Sequence, residues 1–125
     1  MSQIDPSTGE ERQLPQGLCA SVGILTFRNT TLDLGIIPKY SYVSNVRIHV
    51  VEAFSSGNIK VGHSTDDDAY SASITGAGTG VLSNTLGAGV GYDSTARQAQ
   101  ATVSGTPTSG KAIIIIEYYR VPKIN

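Results

Sequence analysis

Several residue types that point to particular functions are scarce or missing in this 125-residue sequence. There is no tryptophan, which is the usual aromatic platform for a bound sugar, so a carbohydrate site is disfavoured. The single cysteine, Cys19, excludes an internal disulfide, and we expect it to be a small buried hydrophobe near the start of the fold. His49 and His63 are the only histidines, and no CxxC or HxxxH spacing accompanies them, so the sequence offers no zinc set.

Charge and long apolar runs are equally sparse. Charged residues make up 15% of the chain, the net charge is −1, and the basic residues are spread rather than clustered, which disfavours nucleic-acid binding. The longest uninterrupted apolar run, residues 112–116, is far shorter than the roughly 20 residues of a membrane helix. The N-terminal segment lacks the apolar core of a signal peptide. We therefore expect no nucleic-acid or membrane partner, and synthesis in the cytoplasm without an export signal.

The sequence is rich in the period-two alternation of β-strands. Residues 46–50 place Val46, Ile48 and Val50 on one face, and residues 98–104 direct Ala99, Ala101 and Val103 inward. Residues 111–121 contain four consecutive isoleucines and are apolar on both faces, which predicts a central strand covered on both sides. Shorter strand signals occur at residues 25–28, continuing through 30–32, and at residues 58–62.

Turn residues separate these runs, and no window of helical length carries an apolar stripe. The pattern predicts an all-β fold of about eight strands, best described as a jelly-roll-like β-sandwich. Residues 1–17 are polar and without periodicity, so we expect an extended N-terminal arm, followed by a single sandwich domain over residues 18–125. The Gly-rich residues 74–92 are expected to form a long connection with a short strand or turn at Val81 and Leu82.

Residues 62–70, GHSTDDDAY, are the strongest candidate for chemistry. Asp66, Asp67 and Asp68 are consecutive, whereas calcium loops usually alternate their ligands as DxDxDG. His63 and Ser64 are adjacent, so in an extended segment they point to opposite faces and form no nucleophile–base pair. We predict an exposed loop between two strands, with a weak calcium site shared with a neighbouring chain and a glycosidase-type carboxylate pair as lesser alternatives.

The remaining motifs also favour structural roles. The fragments GAGTG and GAGVG lack both the GxGxxG spacing and the following helix of a dinucleotide site, and we interpret their glycines as serving backbone conformation. Six tyrosines against two phenylalanines favour interfaces, and both histidines are expected at surface or interface positions. The sequence thus predicts no catalytic, cofactor-binding or metal-binding residue.

The order of the segments "IIPKYSYVSNVRIHVVEAFSSGNIKVGHSTDDDAYSASI", a Gly-rich link and "ATVSGTPTSGKAIIIIEYYRV" resembles small structural proteins of tailed bacteriophages. The resemblance covers roughly residues 36–121. It implies a jelly-roll-like sandwich that serves in the virion as a decoration (cement) protein and binds the major capsid protein. Such proteins are commonly homotrimers on the capsid surface at local three-fold points, with terminal arms over neighbouring subunits, and they are made in the host bacterial cytoplasm.

Three functions follow as hypotheses. The first is a non-enzymatic decoration protein that stabilises the assembled shell. The second is a tail, fibre or head-spike module that binds a host surface glycan through loops that include Tyr70 and residues 66–68. The third is a small glycan hydrolase on a β-sandwich, which the absence of any paired catalytic motif disfavours.

Overall fold

Alternating apolar and polar residues organise residues 18–122, the part of the chain that this computed structural model describes, into antiparallel strands. The strands are β1 (Leu18–Thr26), β2 (Thr31–Ile37), β3 (Ser41–Glu52), β4 (Asn58–His63), β5 (Asp66–Thr75), β6 (Gly80–Val81), β7 (Gly91–Asp93), β8 (Arg97–Val103) and β9 (Lys111–Arg120). The Gly-rich connection contributes the short strands β6 and β7, which raises the expected eight strands to nine. Residues 18–122 include no helix with the length and apolar character that crossing a membrane requires.

The strand pairing has the order of a jelly roll. The first half of the chain pairs in reverse order with the second half: β1 with β9, β2 with β8, β3 with β6 and β7, and β4 with β5. This long antiparallel ribbon wraps so that β9 also pairs with β3, and β8 with β4. Two sheets result, β1-β9-β3-β6 with β7 beside β3, and β2-β8-β4-β5. The predicted jelly-roll-like β-sandwich is confirmed.

The core lies between the sheets and is filled by the residues that the alternation assigned to it. Val46, Ile48 and Val50 of β3 are almost fully buried, and Ala99, Ala101 and Val103 of β8 face them from the other sheet. Ile114 and Ile116 of β9 complete the centre of the cluster, together with Leu25, Ile59, Val61 and Tyr70. Each of the valine, leucine and isoleucine side chains among them contributes about 1.5–3 kcal/mol of transfer free energy when it is fully buried.

Two strand predictions need correction. Residues 27–30 do not continue the first strand, because the chain there crosses from one sheet to the other through a turn in which the Asn29 N–H donates to the Thr26 carbonyl. The isoleucine-rich strand β9 is central in its sheet, as expected, but only its inner face is covered by described residues. Ile113 and Ile115 on its outer face are half-buried. The predicted arm, residues 1–17, lies outside the described residues, as do residues 123–125.

Candidate functional site

The outer face of the sheet β1-β9-β3-β6/β7 is unusually apolar; we call it the outer face of the first sheet. Eight of the ten large hydrophobic side chains that are exposed among residues 18–122 lie on strands of this sheet: Leu18, Val22, Ile24, Tyr42, Val51, Val81, Tyr92 and Tyr119. Exposed single hydrophobics are normal on protein surfaces, but a contiguous group of this kind marks an interaction surface.

The strand register places these side chains in rows across the sheet. One row runs Tyr92, Tyr42, Tyr119 and Leu18, each directly opposite the next on the neighbouring strand. A second row, six residues further along β1, runs Val81, His49, Ile113 and Ile24. Three strands about 4.8 Å apart, nine residues long at about 3.4 Å per residue, with the short β6 and β7 beside them, give the whole face a projected area of roughly 500 Å², its charged residues included.

Between the two rows lies one charged pair. The Arg47 Nε donates to the Glu117 Oε2 at 2.9 Å, and Ile115 and Val22 continue the row in which Arg47 lies. A single ion pair within an apolar surface is typical of the centre of a protein interface, where charges are few and Arg and Tyr are enriched. His49 is exposed in this face, which agrees with the surface position expected for it.

The outer face of the second sheet is polar by contrast. Its cross-strand partners are Asp33 with Gln100 and Thr31 with Thr102, and the Lys60 side chain projects nearby. The Gln98 amide donates to the Asp33 carboxylate, which adds a further polar contact on this face. Ile36 is the one large exposed hydrophobic among the described strands of this sheet. The two outer faces therefore differ in chemistry, and only the first has the character of a binding surface.

The end of the sandwich at the β4–β5 hairpin carries the histidine and the aspartates that the sequence singled out. His63 pairs directly with Asp66, so Ser64 and Thr65 form a two-residue hairpin turn. The aspartates therefore open strand β5, and the predicted longer loop is wrong, although their predicted exposure is confirmed. The expected surface position of His63 is also wrong, because its side chain is only 8% exposed.

The His63 side chain contacts Thr65 of the turn and Tyr70 of β5. Its Nδ1 lies 2.9 Å from the Thr65 hydroxyl, and its ring meets the Tyr70 ring edge to face at a centroid distance of 5.6 Å. Burial, with a smaller contribution from the positive charge of Arg97, lowers the pKa of His63 despite the opposing charges of Asp66 and Asp93. The neutral imidazole is therefore the form that this site favours.

Asp93 and Arg97 bracket the same end of the sandwich. The Arg97 Nε donates to the Asp93 Oδ2 at 2.7 Å, and the Thr95 N–H donates to the Asp93 Oδ1 at 2.9 Å. Partial burial alone would raise the pKa of Asp93, but these hydrogen bonds and the charge of Arg97 hold it below its ordinary value. Burial, and then the charge of Asp93, raises the pKa of Tyr70 to about 12. These contacts hold the polar groups at the hairpin end to one another.

The carboxylates of Asp66, Asp67 and Asp68 lie within 4.8 Å of one another and are exposed. A hydrogen bond with Asp66 raises the pKa of Asp68, and desolvation and the neighbouring negative charges act in the same direction. The Lys60 Nζ lies 3.3 Å from the Asp67 Oδ2 and offsets part of this charge. Exposed acidic groups are common without an ion, and among residues 18–122 no further His, Cys, Asp or Glu joins these three.

Two glycines of GAGVG have a steric role, whereas Gly91, with a φ of 103° and nothing within 4 Å of the position that a Cβ would take, has the conformational role that the sequence indicated. The chain at Gly87 and Gly89 crosses directly over β5, and the Gly89 N–H donates to the Ala69 carbonyl at 2.6 Å. A Cβ on Gly87 would lie 2.4 Å from that carbonyl oxygen, so a larger residue would collide with backbone. The half-buried Cys19 lies on β1 opposite Tyr118, in a less buried position than expected.

No protein-family model and no curated protein sequence matches the chain. Three solved structures are similar to it in fold. A chain in the capsid asymmetric unit of cyanophage Pam1 is 13% identical with a TM-score of 0.65, over 97% of this chain and 100% of that one. A chain in the acidic stable capsid structure of Helicobacter pylori bacteriophage KHP30 is 14% identical with a TM-score of 0.61, over 89% and 94%. A chain in the capsid of Ralstonia phage GP4 is 15% identical with a TM-score of 0.55, over 91% and 93%.

At this level of identity the likeness shows a shared fold. It supports the resemblance to phage structural proteins and agrees with the jelly-roll topology read from the strand order. Sequence reasoning missed the outer face of the first sheet as a unit. The signal was present in part, because the isoleucine run is apolar on both faces and tyrosines are abundant. What was missing was the register that aligns Tyr42, Tyr92 and Tyr119 in one row.

Proposed function

We propose that this protein is a non-enzymatic structural component of a bacteriophage virion, a decoration protein that binds and stabilises the assembled capsid shell. The observation that carries the proposal is the apolar outer face of the first sheet, on a jelly roll that matches chains of three phage capsids over 89–97% of its length. Each of those chains is matched over at least 93% of its own length, so the correspondence is between whole small chains rather than with one part of a large one.

The outer face of the first sheet is the proposed contact with the major capsid protein. Its tyrosine row, its half-buried isoleucines and its single Arg47–Glu117 pair have the composition of an interface centre. The polar outer face of the second sheet would then face solvent. No catalytic step is part of the proposal, because the feature that supports it is an apolar surface.

Stabilisation of the shell would follow from mass action. A protein that binds the assembled shell, and not its free subunits, stabilises the shell by RT ln(1 + [L]/Kd) per site, which is about 2.7 kcal/mol at a free concentration of 100 Kd. The resemblance supports the further proposal that the protein is a homotrimer on the capsid surface at local three-fold points. Residues 1–17 would then be arms that extend over neighbouring subunits. Several linked contacts of moderate strength would raise the overall avidity well above that of one contact.

The test uses virions that carry the protein. The protein is removed from particles, and rebinding of the purified wild type is compared with that of Val81→Asp, which changes a residue 65% exposed on the outer face of the first sheet. Ile36→Asp is the matched control, because Ile36 is 57% exposed on the other sheet. We expect Val81→Asp to weaken rebinding about tenfold or more and Ile36→Asp to leave it unchanged. Stripped shells that melt at the same temperature with and without the protein would refute the decoration role.

A glycan-binding module of the tail, fibre or head spike is the second candidate, and the row of three tyrosines is the feature that favours it. Aromatic rings aligned on a sheet suit a sugar as well as a protein surface. Immunogold labelling of particles separates the two functions. Label confined to the tail or to spikes would favour the glycan-binding module, and label distributed over the head supports the decoration protein.

A further inference from the structure

Each sheet of the sandwich has two edge strands, and three of these four edges carry features that block pairing with another chain. β2 has Asp33 and a β-bulge before Gly35, whose φ of 86° is left-handed. β5 begins with three aspartates, and its register with β4 shifts twice. The edge formed by β6 and β7 consists of strands of two and three residues. Charges, bulges and short strands are the devices by which natural sheets avoid edge-to-edge association.

The fourth edge, β1, has none of these features. Its sequence LCASVGILT contains no charged residue and no proline, and it pairs with β9 over nine residues without a register shift. Its outward side chains include Leu18, Val22 and Ile24, all exposed. A long, regular and apolar edge strand is a template for pairing with another strand.

The alternation of hydrogen bonds along β1 identifies which of its backbone N–H and C=O groups are directed away from β9. The Phe27 N–H donates to the Gly110 carbonyl at 3.1 Å, so the odd-numbered residues of β1 are those that bond to β9. The even-numbered residues, Leu18 through Thr26, therefore direct their N–H and C=O groups away from β9. Among residues 18–122 no other strand pairs with them.

We propose that β1 pairs with β1 of a second copy of this chain, antiparallel about a two-fold axis that passes beside Val22. In this register Val22 lies opposite Val22 of the second copy, Ala20 opposite Ile24, and Leu18 opposite Thr26. The pairing forms about eight hydrogen bonds between the copies, because the Thr26 carbonyl of each copy already accepts from the Asn29 N–H, and this number is typical of a stable interface. It also joins the two outer faces into one apolar surface of twice the projected area.

A second copy is the occupant that the sequence of β1 favours. A two-fold axis places identical residues near one another, so a charged edge would oppose like charges, and β1 carries none. Residues 1–17 are poorly suited to the same position. Apart from Met1 their large apolar residues are Ile4 and Leu14, and Pro6 and Pro15 remove two amide donors from any ladder.

This pairing stands on the geometry of β1 and does not depend on attachment to a capsid. If the proposed function is correct, the pairing would link a chain of one decoration site to a chain of the next across a local two-fold axis. Local three-fold contacts and β1 pairing would then form a continuous network over the shell. Failure of either proposal leaves the other intact, because the pairing is measured on the purified full-length chain.

The first experiment is disulfide trapping. In a Cys19→Ala background, Val22→Cys would place two thiols at Cα atoms about 5.5 Å apart, which is within the range that a disulfide bridges. Ile36→Cys in the same background is the matched control, because Ile36 is 57% exposed on a blocked edge and Val22 is 61% exposed on the open one. We expect mild oxidation to trap most of the Val22→Cys chain as a covalent pair, at least tenfold more than Ile36→Cys. Equal trapping of the two variants would overturn the proposal.

The second experiment exploits the two-fold axis and keeps Cys19. Val22→Lys and Val22→Glu each place like charges opposite one another, so each variant alone should associate about tenfold or more weakly than wild type in analytical ultracentrifugation. An equimolar mixture should recover association, because Lys then faces Glu. Variants that associate as tightly as wild type, or a mixture that stays as weak as its components, would contradict the pairing.

Amide hydrogen exchange identifies any other occupant of the edge. The amides of Ala20, Val22 and Ile24 should exchange rapidly in dilute protein and become protected as the concentration rises, with no such change in Val22→Lys. If these amides are already fully protected at concentrations where sedimentation finds only monomer, residues 1–17 of the same chain pair with β1. That result would overturn the proposal.

Discussion

Adjacent isoleucines on β9 allow a direct comparison of the inner and outer faces of the first sheet. Ile114 is 0% exposed between Gly23 and Ile48, whereas Ile115 is half-buried on the outer face between Val22 and Arg47. Ile114→Ala and Ile115→Ala remove the same atoms from the same strand. The two variants therefore differ only in what covers the side chain.

The expected losses of unfolding free energy differ about threefold. A fully buried Ile→Ala change costs about 2–5 kcal/mol through lost transfer free energy and a residual cavity, and we take about 3.5 kcal/mol for Ile114. For Ile115, three half-buried carbon groups at about 0.8 kcal/mol each give about 1.2 kcal/mol, without a cavity. With an unfolding entropy of about 2.1 cal/mol/K per residue over 125 residues, 1 kcal/mol corresponds to about 3.8 °C in Tm. The expected decreases are about 13 °C and about 4–5 °C.

Urea denaturation at low micromolar concentration, followed by far-UV circular dichroism, measures both losses, and m-values equal to that of the wild type establish that the unfolding remains comparable. Equal destabilisation by the two substitutions would refute the reasoning. Such a result would mean that the outer face is covered in the isolated protein to the same extent as the core.

Further predictions concern the glycine crossing and the hairpin end. Gly87→Ala should cost about 1–3 kcal/mol, because the new Cβ meets the Ala69 carbonyl, whereas Gly78→Ala, with nothing within 4 Å, should be close to neutral in the same urea assay. Because the folded pKa of His63 lies below that of the unfolded chain, stability should fall as the pH drops below about 6.5, and His63→Gln should flatten that decline. Because the pKa of Asp93 is lowered in the folded state, the free energy of unfolding should fall again below about pH 4, and Asp93→Asn should not show this second decrease. Urea midpoints that do not change between pH 7.5 and pH 3 would contradict both pH predictions.

The sequence was sufficient for the fold class and much of the core, because strand periodicity is a local property. The alternation at residues 46–50 and 98–104 identified six core side chains, all of which are buried. The jelly-roll order followed from the number of strands and from the resemblance, and the pairing confirms it. Sequence position alone was enough to assign these side chains to the core, because every second residue of a strand lies on the same face of the sheet.

The features that the sequence did not predict depend on contacts between distant segments. His63 looked exposed because its immediate neighbours are polar, but Tyr70 covers it, and Asp93 and Arg97 lie at the same end of the sandwich. The two-residue turn at Ser64 lacks the glycine or asparagine that usually marks such a hairpin. Because β9 is apolar on both faces, the sequence predicted that other parts of the chain cover both. Alternation alone does not distinguish a face that the same chain covers from a face that a partner covers.

The most direct test of the central claim is hydroxyl-radical footprinting of the protein on intact virions and free in solution. The account predicts that Tyr42, Tyr92 and Tyr119 on the outer face of the first sheet are labelled in the free protein and protected on the particle. Ile36 on the second sheet should be labelled to the same extent in both states. Equal labelling of the three tyrosines in both states, or protection of Ile36 in their place, would contradict attachment through this face.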